Sequence, residues 1–185
     1  MTRPFNPLRY VCATTILLWN AAAMANATCE NVGRTPGMNT PYSVGWGIDH
    51  RNTRYQPKSS INAANAKQLT LKWAYGLAST TPRSYPLVTE DTIFVGDGGR
   101  GLVALDRASG CERWLYEHEG EISSAILPGA IGDRPILIFN VRTEGVYAVD
   151  ARNGEFIWHA TVEDEPLPWY SGTPLVTEDM VKGIK

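Results

Sequence analysis

Between residues 85 and 162 the apolar residues come in short runs that clusters of polar turn residues cut apart. In the first half of this region PLVT, TIFV, LVAL and ERWLY are separated by Glu90-Asp91, by Asp97-Gly98-Gly99 and by residues 107–110. Runs this short, rich in β-branched and aromatic residues and bounded by Gly, Asp and Ser, read as β-strands. The expected strands are 86–89, 92–95, 102–105 and 112–116, then 123–127, 136–140, 146–149 and 156–162.

The two sets are copies of one plan. GLVALDRASGCERW at 101–114 returns forty-four residues later as GVYAVDARNGEFIW at 145–158, and both read G-x-x-A-x-D-x-x-x-G-x-x-x-W. Pro-Leu-Val-Thr-Glu-Asp at 86–91 returns at 174–179, a separation of 88, so a third unit starts at twice the period. In each copy the Asp can accept backbone N–H groups across a turn and the Gly can take a positive φ, after which a second strand leads to the Trp. Asp106 and Asp150 are therefore read as turn caps, with metal ligation as the alternative. Trp73, Trp114 and Trp158 are read as packing residues whose indole N–H groups each need an acceptor. One hairpin unit cannot bury both of its faces, and four-stranded units repeating every 40 to 50 residues or so stack as the blades of a β-propeller. The expected fold is thus an all-β, incomplete propeller of about two full blades plus partial ones. Two full units cannot close a ring, so the chain is expected to be a fragment of a longer protein or the product of a truncated reading frame.

The remaining segments complete the plan. Residues 1–27 carry Arg3 and Arg9, an apolar stretch over 11–19 and the Ala25-Asn26-Ala27 site of a secretory signal peptide cut after Ala27. The apolar stretch is broken at Asn20, short of the ~20 residues a spanning helix needs, so no membrane span is expected after cleavage. Residues 28–44 read as an irregular lead-in and 45–84 as a partial blade with a short helix at 62–69 and a strand at 71–75. Blades follow at 85–120 and 121–166, and 167–185 opens a further one.

Charge and cysteines narrow the function. The formal charge of −2 becomes −4 once the two leader arginines are removed, which leaves no basic footprint for nucleic acid. Cys12 leaves with the leader, and Cys29 and Cys111 remain as either one disulfide or two free thiols. His50, His118 and His159 stand isolated with no metal spacing and no paired nucleophile, so none is given a catalytic role. Glu163-Asp164-Glu165 reads as a solvated turn, with Ca²⁺ binding as the alternative.

Two further motifs carry a resemblance. GIDHRNTRYQP at 47–57, followed by Ile61-Asn62, Asn65, Leu69 and Trp73, resembles the opening of secreted quinoprotein dehydrogenases. The A-x-D-x-x-x-G-x-x-x-W copies look like that family's tryptophan-docking repeats. Arg83-Ser84-x-Pro86 and the S-G-C-x-x-W around Cys111 are most similar to its polyvinyl-alcohol dehydrogenase branch. The resemblance covers residues 45–183 and implies an eight-bladed propeller in the periplasm that holds pyrroloquinoline quinone (PQQ) and Ca²⁺. It also implies oxidation of a small-molecule or polymeric alcohol with transfer of electrons to an acceptor. There is no C-x-x-C-H, hence no haem c site in these residues.

The resemblance implies cofactor contacts at Arg83, Ser171 and Thr173. Arg83 precedes an innermost strand, where its guanidinium can hold a carboxylate bidentately or simply remain a solvated loop arginine. Ser171 and Thr173 take the matching place in the third unit, as hydrogen-bond donors or as turn residues before Pro174. The chain also departs from the pattern. Alcohol dehydrogenases of the family carry an acid where Arg83 stands, and arginines expected near 122–125 and before Ser171 are replaced by Ile122-Ser123-Ser124-Ala125 and by Trp169-Tyr170. No residue of the chain is assigned a catalytic or metal-ligating role. The missing cations leave a second reading open, a non-catalytic propeller that acts as an envelope scaffold or protein-binding module.

Overall fold

The computed structural model describes residues 28–29, 37–38, 46–49, 51, 53–57, 59–161, 169–170, 172–176 and 181–182. The leader, His50, Glu163-Asp164-Glu165 and Ser171 lie outside the described residues.

Strands β1 (Leu87–Val88), β2 (Thr92–Asp97), β3 (Gly101–Asp106) and β4 (Glu112–Glu117) form one antiparallel sheet in that order. Strands β5 (Leu127–Ile131), β6 (Arg134–Val141), β7 (Gly145–Asp150) and β8 (Phe156–Ala160) form a second with the same order. Strands β9 (Leu175–Val176) and β10 (Val181–Lys182) pair as the first hairpin of a third unit. The copies agree down to their irregularities. Register slips between Ala104 and Leu105 in the first sheet and between Ala148 and Val149 in the second, each time just before the turn Asp.

The interior strands of the second sheet are apolar on both faces because that sheet is covered on each side by a neighbouring unit. On β6 and β7, Leu137, Phe139, Val141, Tyr147 and Val149 face the first sheet and join Leu87, Phe94, Leu102, Ala104 and Trp114 in one core. Their alternates Ile136, Ile138, Val146 and Ala148 face the third unit with Leu127, Ile157, Trp158 and Val176. Alternation at period two thus sorts one strand into two cores.

The turns behave as the repeat demands. Asp106 Oδ1 accepts from the N–H of Ala108 (3.0 Å) and Ser109 (2.8 Å), while Asp150 Oδ1 accepts from Arg152 N–H (2.8 Å). Gly110 and Gly154 follow at φ of 77° and 74°. Each glycine lies under the tryptophan of the preceding unit. A Cβ on Gly110 would stand 2.5 Å from Trp73 Cδ2, and one on Gly154 2.7 Å from Trp114 Cε3. Trp73 Nε1 donates to Arg107 O at 3.1 Å, whereas Trp114 Nε1 is buried without an acceptor, contrary to expectation.

Cys29 and Cys111 are joined as a disulfide, with Cα atoms 5.3 Å apart at a sequence separation of 82. Cys29 N–H also donates to Glu112 O at 2.9 Å, and Thr28 bridges Glu112 in parallel, so the lead-in adds a fifth strand stub at the outer edge of β4.

Three expected elements are corrected. The helix at 62–69 is a single 3-10 turn, Ala66–Gln68, preceded by turns in which the Asn62 and Asn65 side chains accept from the backbone N–H groups of Ala64 (2.9 Å) and Asn62 (2.8 Å). Residues 71–75 form no ladder among the described residues, although Trp73 docks as a blade's closing tryptophan would. The strand expected at 123–127 begins instead at Leu127. Residues 122–126 are used to join the blades: Tyr85 N–H donates to Ser124 O (3.2 Å) and Ile126 N–H to Tyr85 O (3.1 Å). No helix among the described residues is long and apolar enough to cross a membrane.

Candidate functional site

Each blade has two unlike ends. One carries the Asp-Gly turns, the docked tryptophans and the disulfide. Its acids are committed to structure. The Arg113 guanidinium, Nη2 at 2.7 Å from Oδ2, holds the Asp106 carboxyl well below the usual carboxylate range. Arg152, with Arg134 at 2.6 Å beside it, does the same to Asp150, which is 1% exposed. Arg113 Nη1 makes no hydrogen bond, yet it stands 3.5 Å from Asp91 Oδ2, close enough for an ion pair. Neither repeat Asp has a free oxygen for a metal, and no grouping of three His, Cys, Asp or Glu among the described residues can hold one.

The opposite end carries the segments that lead into β1, β5 and β9, together with the β2–β3 and β6–β7 turns. The leads are equivalent by hydrogen bonding as well as by repeat. Ser84 Oγ accepts from Gly96 N–H at 3.1 Å and Ser124 Oγ accepts from Asn140 N–H at 2.8 Å. Counting from those serines, Arg83 corresponds to Ser123, and the copied Pro-Leu pair makes both correspond to Ser171.

Arg83 is 54% exposed and its Nε lies 3.0 Å from Glu121 Oε1. The other oxygen of Glu121 accepts from Arg142 Nη1 at 2.6 Å. The Arg142 guanidinium lies 3.6 Å above the ring of Trp169, itself 54% exposed. Backbone hydrogen bonds sew these segments together: Arg142 N–H to Glu121 O at 2.9 Å and Tyr170 N–H to Arg142 O at 2.8 Å. The result is a rigid row, Arg83–Glu121–Arg142–Trp169, with two guanidinium groups, one carboxylate and one open indole. Trp46 packs at a tilt of 45° against Tyr85, two residues after Arg83, with ring centroids 5.4 Å apart.

Thr173 lies at the same end, where its Oγ1 accepts from Ala125 N–H at 3.2 Å and its O–H has no acceptor among the described residues. Asn140 is fully buried there. Its Nδ2 donates to Gly172 O, its backbone engages Ser123 and Ser124, and its Oδ1 has no partner among the described residues. Where Asn140 reaches out, the first blade has Gly96, on which a Cβ would meet Ser84 and Ile122 Cβ at 2.7 and 2.8 Å. The geometry therefore brings Arg83 and Thr173 to one rim.

The sequence reading missed Glu121, Arg142 and Asn140. It looked for a cation on the leads, at 122–125 and at 169–170, and found none. The cation comes instead from the β6–β7 turn, which opens at the same end. The available signal was Arg142 directly after an apolar strand.

The model of the PQQ_2 repeat family, described as outer membrane protein assembly factor BamB, matches residues 49–181. The chain belongs to this family. Among curated relatives, this PQQ_2 repeat protein is 28% identical over 138 residues to a polyvinylalcohol dehydrogenase of Pseudomonas sp., an alignment covering 72% of the chain and 21% of the relative. It is 29% identical over 137 residues to the quinohemoprotein alcohol dehydrogenase of Comamonas testosteroni, covering 70% and 19%. The crystal structure of that Comamonas enzyme superposes with a TM-score of 0.64 at 24% identity over 82% of this chain and 23% of that one, which shows a shared propeller fold. The chain spans about a fifth of the length of these relatives.

Proposed function

We propose that this chain supplies the N-terminal blades of a periplasmic PQQ-dependent dehydrogenase that oxidises alcohols, and that the inner rim is its contribution to the cofactor site. The observation that carries the reading is the row Arg83–Glu121–Arg142–Trp169. Two guanidinium groups beside an exposed indole suit a flat, polycarboxylated ring: the cations bind carboxylates and the indole takes the planar face. The residues present fit PQQ on that ground. Arg83 and Arg142 would hold its carboxylates, with Ser171 and Thr173 as hydrogen-bond donors.

Bound PQQ supplies the two-electron oxidising power that turns an alcohol into a carbonyl compound, and the protein's part is to orient the cofactor and exclude water. The backbone hydrogen bonds at Arg142 and Tyr170 serve that part by fixing the rim before any ligand arrives. Neither a catalytic base nor a Ca²⁺ ligand is assigned to this chain. Relatives named polyvinylalcohol dehydrogenase support a polymeric alcohol as substrate, and one named 1-butanol dehydrogenase (cytochrome c) supports a cytochrome as electron acceptor. The leader expected at residues 1–27, with its cut after Ala27, supports the periplasm.

The test is reconstitution of the protein expressed from its own locus with PQQ and Ca²⁺, followed by dye-linked oxidation of secondary alcohols and polyvinyl alcohol. Cofactor retention through gel filtration with dye reduction is expected. Loss of the cofactor with no turnover overturns the reading. A second reading, an envelope scaffold that binds other proteins, draws on the Arg83 side chain being already paired with Glu121 and on the description of the family model. A specific envelope partner captured by the cofactor-free protein would favour it.

A further inference from the structure

We propose that Glu121 is a charge gate in the rim: its carboxylate occupies the space between Arg83 and Arg142 that a ligand carboxylate would take, and it thereby restricts the rim to polycarboxylates. The inference rests on the reading of the rim as a carboxylate site.

The first ground is that Glu121 is not needed to hold Arg142. That side chain is fixed by its stacking on Trp169 at 3.6 Å, and its backbone by hydrogen bonds on both sides. A second ground is the arrangement of donors. Arg83 meets Glu121 through Nε and Arg142 through Nη1, one on each carboxylate oxygen. Among the described residues, the Nη1 and Nη2 of Arg83 and the Nη2 of Arg142 make no other hydrogen bond or ion pair. The row therefore carries two positive charges and one negative, with spare donors on both flanks of the negative one. A monocarboxylate can use only one flank and meets the charge of Glu121 as it does so. A ligand with two or three carboxylates on a rigid ring can reach both flanks at once. Glu121 is only 26% exposed, so solvent screens this repulsion less than on an open surface.

The experiment compares the full chain with E121Q, R83A and R142A by calorimetric titration against benzene-1,3,5-tricarboxylate, benzoate and the neutral benzene-1,3,5-trimethanol. Trp169 fluorescence, with W169F as the blank, serves as a second readout. Glutamine keeps the shape of Glu121 and one acceptor but not the charge. E121Q is expected to bind the tricarboxylate roughly tenfold more tightly, benzoate a few-fold more tightly, and the triol no differently. R83A and R142A are each expected to weaken the tricarboxylate at least tenfold. Weaker anion binding in E121Q would show that Glu121 braces the arginines, and unchanged binding would show that it does neither; both sink the gate while leaving the rim as an anion site. No carboxylate binding by the wild type or by E121Q overturns the gate and the carboxylate site together.

Discussion

The stacking of each tryptophan on the next unit's glycine predicts that Gly154→Ala is far more damaging than an alanine at another positive-φ glycine. Gly154 has φ of 74° and Gly132 has φ of 57°, so alanine at either position suffers left-handed strain of about 1 kcal/mol. The surroundings differ. Nothing lies within 4 Å of a Cβ on Gly132, whereas one on Gly154 would meet Trp114 Cε3 at 2.7 Å and Cζ3 at 3.0 Å. Trp114 is 8% exposed and packed within the main core, so the ring can yield only by disturbing its neighbours. Overpacking of that kind costs a further 1–3 kcal/mol or so. G154A should therefore lose about 2–4 kcal/mol and G132A about 1 kcal/mol. Urea unfolding followed by tryptophan fluorescence resolves the two: with m of about 1.5 kcal/mol/M, a 2 kcal/mol gap moves the midpoints more than 1 M apart. If G154A and G132A unfold at the same urea concentration, the indole does not lean on this glycine and the docking account is wrong.

Two further predictions concern the same end of the blades. The folded chain holds Asp106 and Asp150 below the usual carboxylate range, so the stability they contribute is fully present above the unfolded value of about 4 and is lost as pH falls below it. D150N is accordingly expected to be about 2–4 kcal/mol less stable than wild type at pH 7, with a gap that narrows below pH 4; a gap independent of pH would refute the role given to Arg152 and Arg134. Reduction of the disulfide, which closes a loop with a separation of 82 residues, is expected to cost about 4–5 kcal/mol in the chain-entropy treatment. Dithiothreitol should lower the urea midpoint of wild type and leave a C29S/C111S double variant unchanged, and equal responses would show that the bridge does not constrain the chain.

What could be read from the sequence follows the division between the two ends. The Asp–Gly turn and its tryptophan are local: one residue type accepts N–H groups two and three positions on, another takes a positive φ, and a period of forty-four residues repeats both. The strand order and the incomplete propeller follow from such signals. The start of β5 did not, because Ser123 and Ser124 are spent on partners at Tyr170, Asn140 and Tyr85 that no local pattern reveals. The rim was legible only in part for the same reason. Arg83 and Thr173 carry a local mark, the nearby Pro of an innermost strand, but Glu121 and Arg142 meet across the blade and become a pair only when β6 has folded back beside the lead. Counting cations along the leads alone suggested a weakened anion site. Folding restores one of them from a turn.

That restoration bears on where a repeat protein can vary its chemistry. Ser84 and Ser124 hold the same N–H in successive blades, and the tryptophans press on equivalent glycines, so these positions are tied to the geometry of the repeat and a change at any one of them is a change in stability. Arg83, Ser123 and Ser171 share one place, held by arginine in the first unit and by serine in the next two, and Gly96 and Asn140 likewise differ at another. Ser123 Oγ donates to Tyr170 O, Asn140 Nδ2 donates to Gly172 O and a Cβ on Gly96 would meet Ser84 and Ile122, so of the described residues at these places the half-exposed Arg83 is the one that can change at little cost to its blade. Arg83 before β1 and Arg142 in the β6–β7 turn meet the two oxygens of Glu121 before β5, so the charge of the row is assembled from three separate segments and has to be read from the folded rim rather than from any single repeat.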